Sequence, residues 1–483
     1  MATSERPRRA VLAAPLLALC ALAALLRFPT LDLQSFWFDE AVTVVDDLRP
    51  SLAATLARLP SQELAPPLYF VLAWAWSRPF GTGEVGLRSL SALIGTLTVP
   101  VAYAAGAQLV SRRSGLAAAA LVAVSPLLVY YSQEARPYAL VILLGGVSFL
   151  LFTRALEAGA RGRTLAGWAI VSALALATHY FAAFLVAPEA LWLLARSPRG
   201  RRAGAALAVA LVGATGFALL PLALTQLASG GATWIGRIPL SARLLDFPEK
   251  YSAGWQSAEN PAWPLPALLL ALSLALLAAR GDSRERRGAA LALLLAAATL
   301  LVPLALAFGG LDFFTFRHLM VVAVPLIVGL AAGFGVRRAG RVGSVALAAL
   351  CLGSVAVNAL VFATPRLQRD DWRAASAVLG RPSAPRVLAF TSFSREPVQA
   401  YGHRVEEAIA PAVRVSELVL IGNTVAGAPP PRPPVPGFRL FDRRTVQKLT
   451  VVRYRSDPPR PVGEAALVEE LGLFPHAVVL ERP

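Results

Sequence analysis

The sequence predicts a mainly α fold, a polytopic transmembrane helical bundle of about eleven spans with a small extracytoplasmic C-terminal α/β domain. Three observations predict it. Of the 483 residues, 56% are hydrophobic and only 16% charged, with a mean hydropathy of +0.59. Apolar runs long enough to cross a bilayer recur as far as residue 363. From residue 365 onward those runs stop and charge rises.

The chain opens with Arg6, Arg8 and Arg9 ahead of an apolar run at 11–26. No small-residue cleavage site follows, so the run reads as a first anchor, not a removed signal. Further spans are expected near 88–110, 115–132, 137–156, 164–180, 181–195, 203–227, 264–279, 288–308, 318–335 and 341–363. With the N-terminus inside, the arginine-rich connections at 112–113, 154–163, 196–202, 280–287 and 337–341 all fall on the cytoplasmic side. PLYFVLAWAWSRPF at 67–80 would invert that order if it spanned. It is short for a span, and its two Trp and one Tyr suit the headgroup zone, so an interfacial or re-entrant helix is expected.

By this parity the transmembrane domain covers 1–364, with outer loops 28–87 and 228–263, and residues 365–483 form the soluble domain. Within that domain RVLAF at 386–390, ELVLI at 417–421 and AVVL at 477–480 read as strands. Residues 369–379 and 464–471 read as helices, and PPPRPPVP at 429–436 reads as a stiff linker. The compartment expected is a bacterial inner membrane, with Arg favoured over Lys and Ala, Gly, Pro and Leu abundant. Although the net charge is +17, the arginines between the apolar runs occupy short loops and read as topology signals, so nucleic acid is not an expected partner. Cys20 and Cys351 both lie in apolar runs and imply no disulfide.

FWFDEA at 36–41 follows the first span closely. Carboxylates are costly to desolvate, so Asp39 and Glu40 between aromatic residues at a bilayer edge need a cation, a metal or a substrate, or they cap the next helix. Arg136, in YSQEARPY, has Glu134 two residues before it and Tyr130, Tyr131 and Tyr138 nearby. Two readings fit: a guanidinium that holds a phosphate, or an Arg–Glu pair within an interfacial tyrosine belt. His179 sits at the turn between two spans, and Arg317 with His318 opens another. For these the choice lies between phosphate contacts and ordinary structural or interfacial anchoring. Asp370 and Asp371 could hold a divalent metal, although a cap for the helix that follows is the simpler role. HExxH, Walker and dinucleotide-binding patterns are absent from the sequence.

FWFDEA, APPLYFVL at 65–72, and the stretch from RSLSALIGTLTVP through SPLLVYYSQEARPYAL at 88–140 together resemble the GT-C superfamily of membrane glycosyltransferases. The likeness is to bacterial relatives of the protein O-mannosyltransferases and the aminoarabinose transferases. It implies transfer of a sugar from a polyprenyl-phosphate donor to a protein, lipid or polysaccharide acceptor at the outer face. In that chemistry Asp39 is expected as general base with Glu40 in support, and Arg136, Tyr138, His179, Arg317 and His318 as contacts to donor phosphate or substrate. Ala65 stands where the family's first-loop element usually has His. A carrier of polyprenyl-linked sugars would also need outer arginines and a lipid groove, and an envelope scaffold would rely on the outer tail. Neither would need Asp39 as a base.

Overall fold

The computed structural model describes residues 5–229, 234–254, 264–391, 395–407, 412–423, 432–473 and 477–483. The chain divides into two compact units. One comprises Met1–Leu31 with Arg49–Val361, the other Asp32–Leu48 with Phe362–Pro483. FWFDEA therefore belongs to the same unit as the tail.

The first unit is helical. Among the described residues, five helices are long and apolar enough to cross a membrane: Glu84–Leu109, Tyr138–Glu157, Arg199–Ala228, Ser283–Phe308 and Arg337–Ala363. A sixth arises if the pair Arg112–Val124 and Pro126–Ser132, bent by 57°, counts as one span. The other runs expected as spans form shorter helices, such as Gly162–Thr178 and Pro264–Arg280 with 17 residues each and Ala183–Arg196 with 14. At about 1.5 Å per residue, these fall short of a hydrocarbon layer about 30 Å thick. The runs expected at 164–180 and 181–195 divide at His179, where the backbone is extended at φ −156°. The aromatic stretch at 67–80 forms the 13-residue helix Leu68–Phe80, also short of a span. Trp74 there donates to the Arg49 carbonyl at 3.0 Å, and Trp76 to the Ser89 hydroxyl at 2.9 Å.

The 57° bend follows from one residue. Pro126 has no N–H to give the Val122 carbonyl, and the change of direction removes partners from the next two carbonyls as well. Unpaired carbonyls inside an apolar bundle are costly, and side chains from distant helices take them up. Arg27, fully buried, donates to Val122 O at 3.0 Å and Ala123 O at 2.7 Å, as well as to its own turn at Ala23 O and to the Ser132 hydroxyl. Asn358 donates to Val124 O at 2.9 Å. Gly95 makes room for this: a Cβ there would lie 2.0 Å from Ser132 Oγ and 3.2 Å from Arg27 Nε. A second polar cluster joins three helices where Glu189 accepts from Ser148 Oγ at 2.6 Å and Trp168 Nε1 at 2.8 Å.

The second unit carries a six-stranded mixed sheet with β1 Arg386–Phe390, β2 Val405–Glu407, β3 Val413–Asn423, β4 Arg439–Val446, β5 Leu449–Val462 and β6 Val478–Glu481. The order is β2-β6-β1-β3-β5-β4, with β1 parallel to β3 and the other pairs antiparallel. Central strands buried on both faces explain the continuous apolar runs RVLAF and ELVLI. Val387, Ala389, Leu418 and Leu420 pack on one face with Leu467 of the helix Glu464–Leu471. Leu388, Phe390, Val419 and Ile421 pack on the other with Trp372, Ala375 and Leu379 of the helix Trp372–Leu379. Of the expected linker at 429–436, residues 429–431 lie outside the described residues.

Candidate functional site

Four non-helical junctions of the first unit bring polar side chains together: 63–67, 133–137, His179, and the segment 309–319. At the first two, Arg136 forms a two-pronged ion pair with Glu63, NH2 to Oε2 at 2.8 Å, with both side chains nearly buried. The guanidinium also lies 5.9 Å from the Phe70 ring centre. The acid that meets Arg136 in this fork comes from the first loop, not from neighbouring Glu134.

Aromatic rings connect the remaining junctions. Tyr138 lies 4.8 Å from Tyr131 and 6.1 Å from His179, measured between ring centres. The His179 ring lies 5.7 Å from that of His318, which in turn stacks on Phe181 at 4.3 Å and 12°. His318 Nδ1 donates to the Phe313 carbonyl at 2.9 Å. At His179 the direction is reversed. Its Nδ1 accepts from the Phe181 N–H at 3.4 Å, which puts the ring proton on Nε2 and makes this histidine a neutral donor. The Tyr131 hydroxyl is buried without a hydrogen-bond partner among the described residues, in electrostatic range of Arg317. Arg136, Tyr138, His179, Arg317 and His318 thus belong to one neighbourhood.

The segment carrying Arg317 and His318 is braced by the helix Leu240–Ala253, part of the loop expected at 228–263. Arg243 pairs with both Asp312 oxygens at 2.7 and 2.5 Å and donates to Phe314 O at 2.6 Å. Its guanidinium holds the Asp312 carboxyl below the usual carboxylate range. The Tyr251 hydroxyl donates to Leu319 O at 3.2 Å, and Lys250 lies over the Phe316 ring at 5.7 Å. Phe247 and Tyr251 also line a cavity of about 320 Å³ whose other walls are almost wholly apolar, among them Leu270, Leu274, Leu326 and Leu330. Residues 230–233 and 255–263 of this loop lie outside the described residues.

Asp39 and Glu40 sit in the second unit, in the first turn of the short helix Phe38–Val42. Glu40 is fully buried. Its Oε2 accepts from the Trp37 N–H at 3.3 Å and pairs with Arg369 NH1 at 3.0 Å. Glu40 therefore both caps the helix and holds a cation, and that cation is Arg369. Asp39, next to it, is half-buried. Breaking a buried ion pair from one side leaves an uncompensated charge, at a cost of about 3–5 kcal/mol. Arg369→Met is expected to lower thermal stability by that order, and adding Glu40→Leu to recover most of the loss. A melting curve for each variant checks this, and equal losses in the single and double variants would contradict it.

Asp371 caps the following helix, its side chain accepting from Ala374 N at 3.0 Å. Burial pushes the Asp370 carboxyl up, opposed by Lys448 and by a hydrogen bond from Asn423. Among the described residues no three His, Cys, Asp or Glu side chains converge as a metal site would require.

Several residues that shape these junctions escaped the sequence reading. Glu63 and Gln226 are the clearest. Gln226 donates to Leu59 O at 3.0 Å and Ala65 O at 3.2 Å, and accepts from the Tyr180 hydroxyl at 2.8 Å. The available signal was a lone amide near the end of a long apolar run.

Residues 65–223 match a family model described as dolichyl-phosphate-mannose-protein mannosyltransferase. Among curated proteins no sequence matches. ArnT from Cupriavidus metallidurans, solved bound to undecaprenyl phosphate and in the apo state, shares 13% identity over 90% of this chain and 97% of its own, with a TM-score of 0.54 in both states. The Archaeoglobus fulgidus oligosaccharyltransferase, in complex with zinc and sulfate, shares 15% identity over 76% of this chain with a TM-score of 0.44. The present chain spans 55% of that protein's length.

Proposed function

From this likeness to GT-C membrane glycosyltransferases, in family match and in fold, we propose that the protein moves a sugar from a polyprenyl-phosphate donor to an acceptor at the outer face of a bacterial inner membrane. The observation that carries the reading is the neighbourhood of Arg136, Tyr138, His179, Arg317 and His318 beside an apolar cavity. The ArnT structure was solved with an isoprenoid phosphate, a ligand with one charged end and a long apolar tail. Both needs have counterparts here. The helix Leu240–Ala253 lines the cavity with Phe247 and Tyr251, while Tyr251 also bonds to Leu319, two residues from Arg317.

In the proposed step the acceptor hydroxyl or amine attacks the anomeric carbon and the bond from that carbon to the donor phosphate oxygen breaks. Asp39 takes the acceptor proton. The electron pair goes to the departing polyprenyl phosphate, whose growing charge is met by Arg317, with the His179 Nε2–H as a neutral donor. Arg136 is already matched by Glu63, so its fork serves to hold the 63–67 and 133–137 junctions together more than to add net charge. Glu40, engaged with Arg369, supports Asp39 by fixing the helix that carries it. No nucleotide sugar is needed at that face.

The test is transfer from a panel of polyprenyl-phosphate sugars by the purified protein in lipid. Wild type is expected to transfer one of them, and Arg317→Gln to slow the reaction by about 10²–10³-fold, the effect of removing a donor aimed at developing charge. If lipid binds but no sugar is transferred, the carrier reading takes its place.

A further inference from the structure

The second unit holds a cavity that the proposed transfer does not use. It measures about 630 Å³, within the range of about 300–1,000 Å³ usual for small-molecule sites, and is walled entirely by residues of that unit. Four arginines line it: Arg373 and Arg381, at the start and just past the end of the helix Trp372–Leu379, Arg404 before β2, and Arg482 after β6. All four are exposed.

The acids nearby are committed elsewhere. Glu481 is buried between Arg386, at 2.8 Å, and His403, at 2.7 Å. The opposite nitrogen of His403 faces the Ser376 carbonyl at 3.1 Å, which pins the ring as part of the wall. Arg482 has one exposed partner in Glu406 at 3.0 Å, a pairing worth little in water. Arg373 donates to the Asp32 carbonyl at 2.9 Å and so stands at the rim already engaged. Arg381 and Arg404 have no acidic partner among the described residues. Glu481 is the one acidic side chain in the lining and is already matched, so the arginines set the field of the concavity, which draws counter-ions of opposite sign. Ser376 adds an independent sign of a missing ligand. It lines the cavity, is 4% exposed, and its hydroxyl has no hydrogen-bond partner among the described residues. A buried polar atom left without a partner is costly unless something completes it.

We propose that this cavity is an anion site, holding the phosphate or carboxylate groups of an oligoanion through Arg381, Arg404 and Arg482. Guanidinium forks suit both groups, so the geometry assigns the charge and the probes separate its sources. The site does not depend on the transfer reaction, and its test is a binding measurement.

The full chain, in nanodiscs of zwitterionic lipid at 150 mM salt (about an 8 Å screening length), is titrated by calorimetry with inorganic tripolyphosphate and, separately, with trigalacturonate. Wild type is expected to bind at least one of them, and the tighter probe identifies the anion. Arg381→Glu with Arg404→Glu is expected to weaken binding by about tenfold or more, since two charge-assisted contacts are lost and two repelling charges are gained. Both side chains are exposed, so an unchanged melting temperature verifies the fold. Ser376→Ala is expected to weaken binding severalfold without loss of stability. Absence of binding to both probes, or equal binding by wild type and the double variant, would overturn the assignment.

Discussion

Asp39→Asn is expected to slow sugar transfer by about 10²–10⁴-fold, the usual worth of a positioned general base, while leaving donor binding intact. The variant keeps the shape of the side chain but replaces one accepting oxygen with an NH2 donor and cannot take the acceptor's proton. Asp39 shares the first turn of the helix Phe38–Val42 with Glu40, yet the two play different parts. Glu40 is buried on Arg369 and its loss should show mainly as lost stability, whereas Asp39 is half-buried and its loss should show mainly as lost turnover. Parallel rate and melting measurements on both variants separate the roles. A rate unchanged in Asp39→Asn would remove the base from the proposed step.

Arg27→Leu is expected to destabilise the first unit by several kcal/mol. The substitution strips the Val122 and Ala123 carbonyls of their donors, each worth about 1–3 kcal/mol when buried and unpaired, and leaves Ser132 without its guanidinium contact. Leucine also leaves part of the volume unfilled, adding a packing loss. Arg27→Lys is expected to recover only part, because an ammonium lacks the planar fork that reaches four oxygens at once. Protease resistance and thermal melting in detergent would check both. A Leu variant as stable as wild type would mean that the bend at Pro126 finds other donors.

Hydropathy made the helical, membrane-spanning class legible, because long apolar runs are a composition signal that survives without tertiary information. It separated the runs at 164–180 and 181–195, where the break at His179 falls, but could not show a bend inside a run. The bend at Pro126, inside the run expected at 115–132, depends on donors supplied by Arg27 and Asn358. In the tail, the strands at 386–390 and 417–421 were readable because burial on both faces makes them continuously apolar. The β4–β5 hairpin was not. β4 is mostly exposed, β5 carries Pro458, Pro459 and Pro461, and the turn is made by Gln447 at φ +48° instead of the usual glycine. In the site, rare ionisable residues near the ends of apolar runs pointed to Arg136, His179, Arg317 and His318. Their partners were hidden, since nothing in a one-dimensional pattern links Arg136 to Glu63 or Arg317 to Tyr131.

The unit that contains Asp39 is assembled from two stretches of chain made far apart in time. Glu40 and its partner Arg369 are separated by 329 positions. At a synthesis rate of about 5–20 residues per second, the FWFDEA segment waits roughly 15–65 s for the residues that fix it. Through that interval Asp39 rests on a helix whose ion pair has not yet been made. The complete second unit becomes available only after all the first unit's helices have been synthesised.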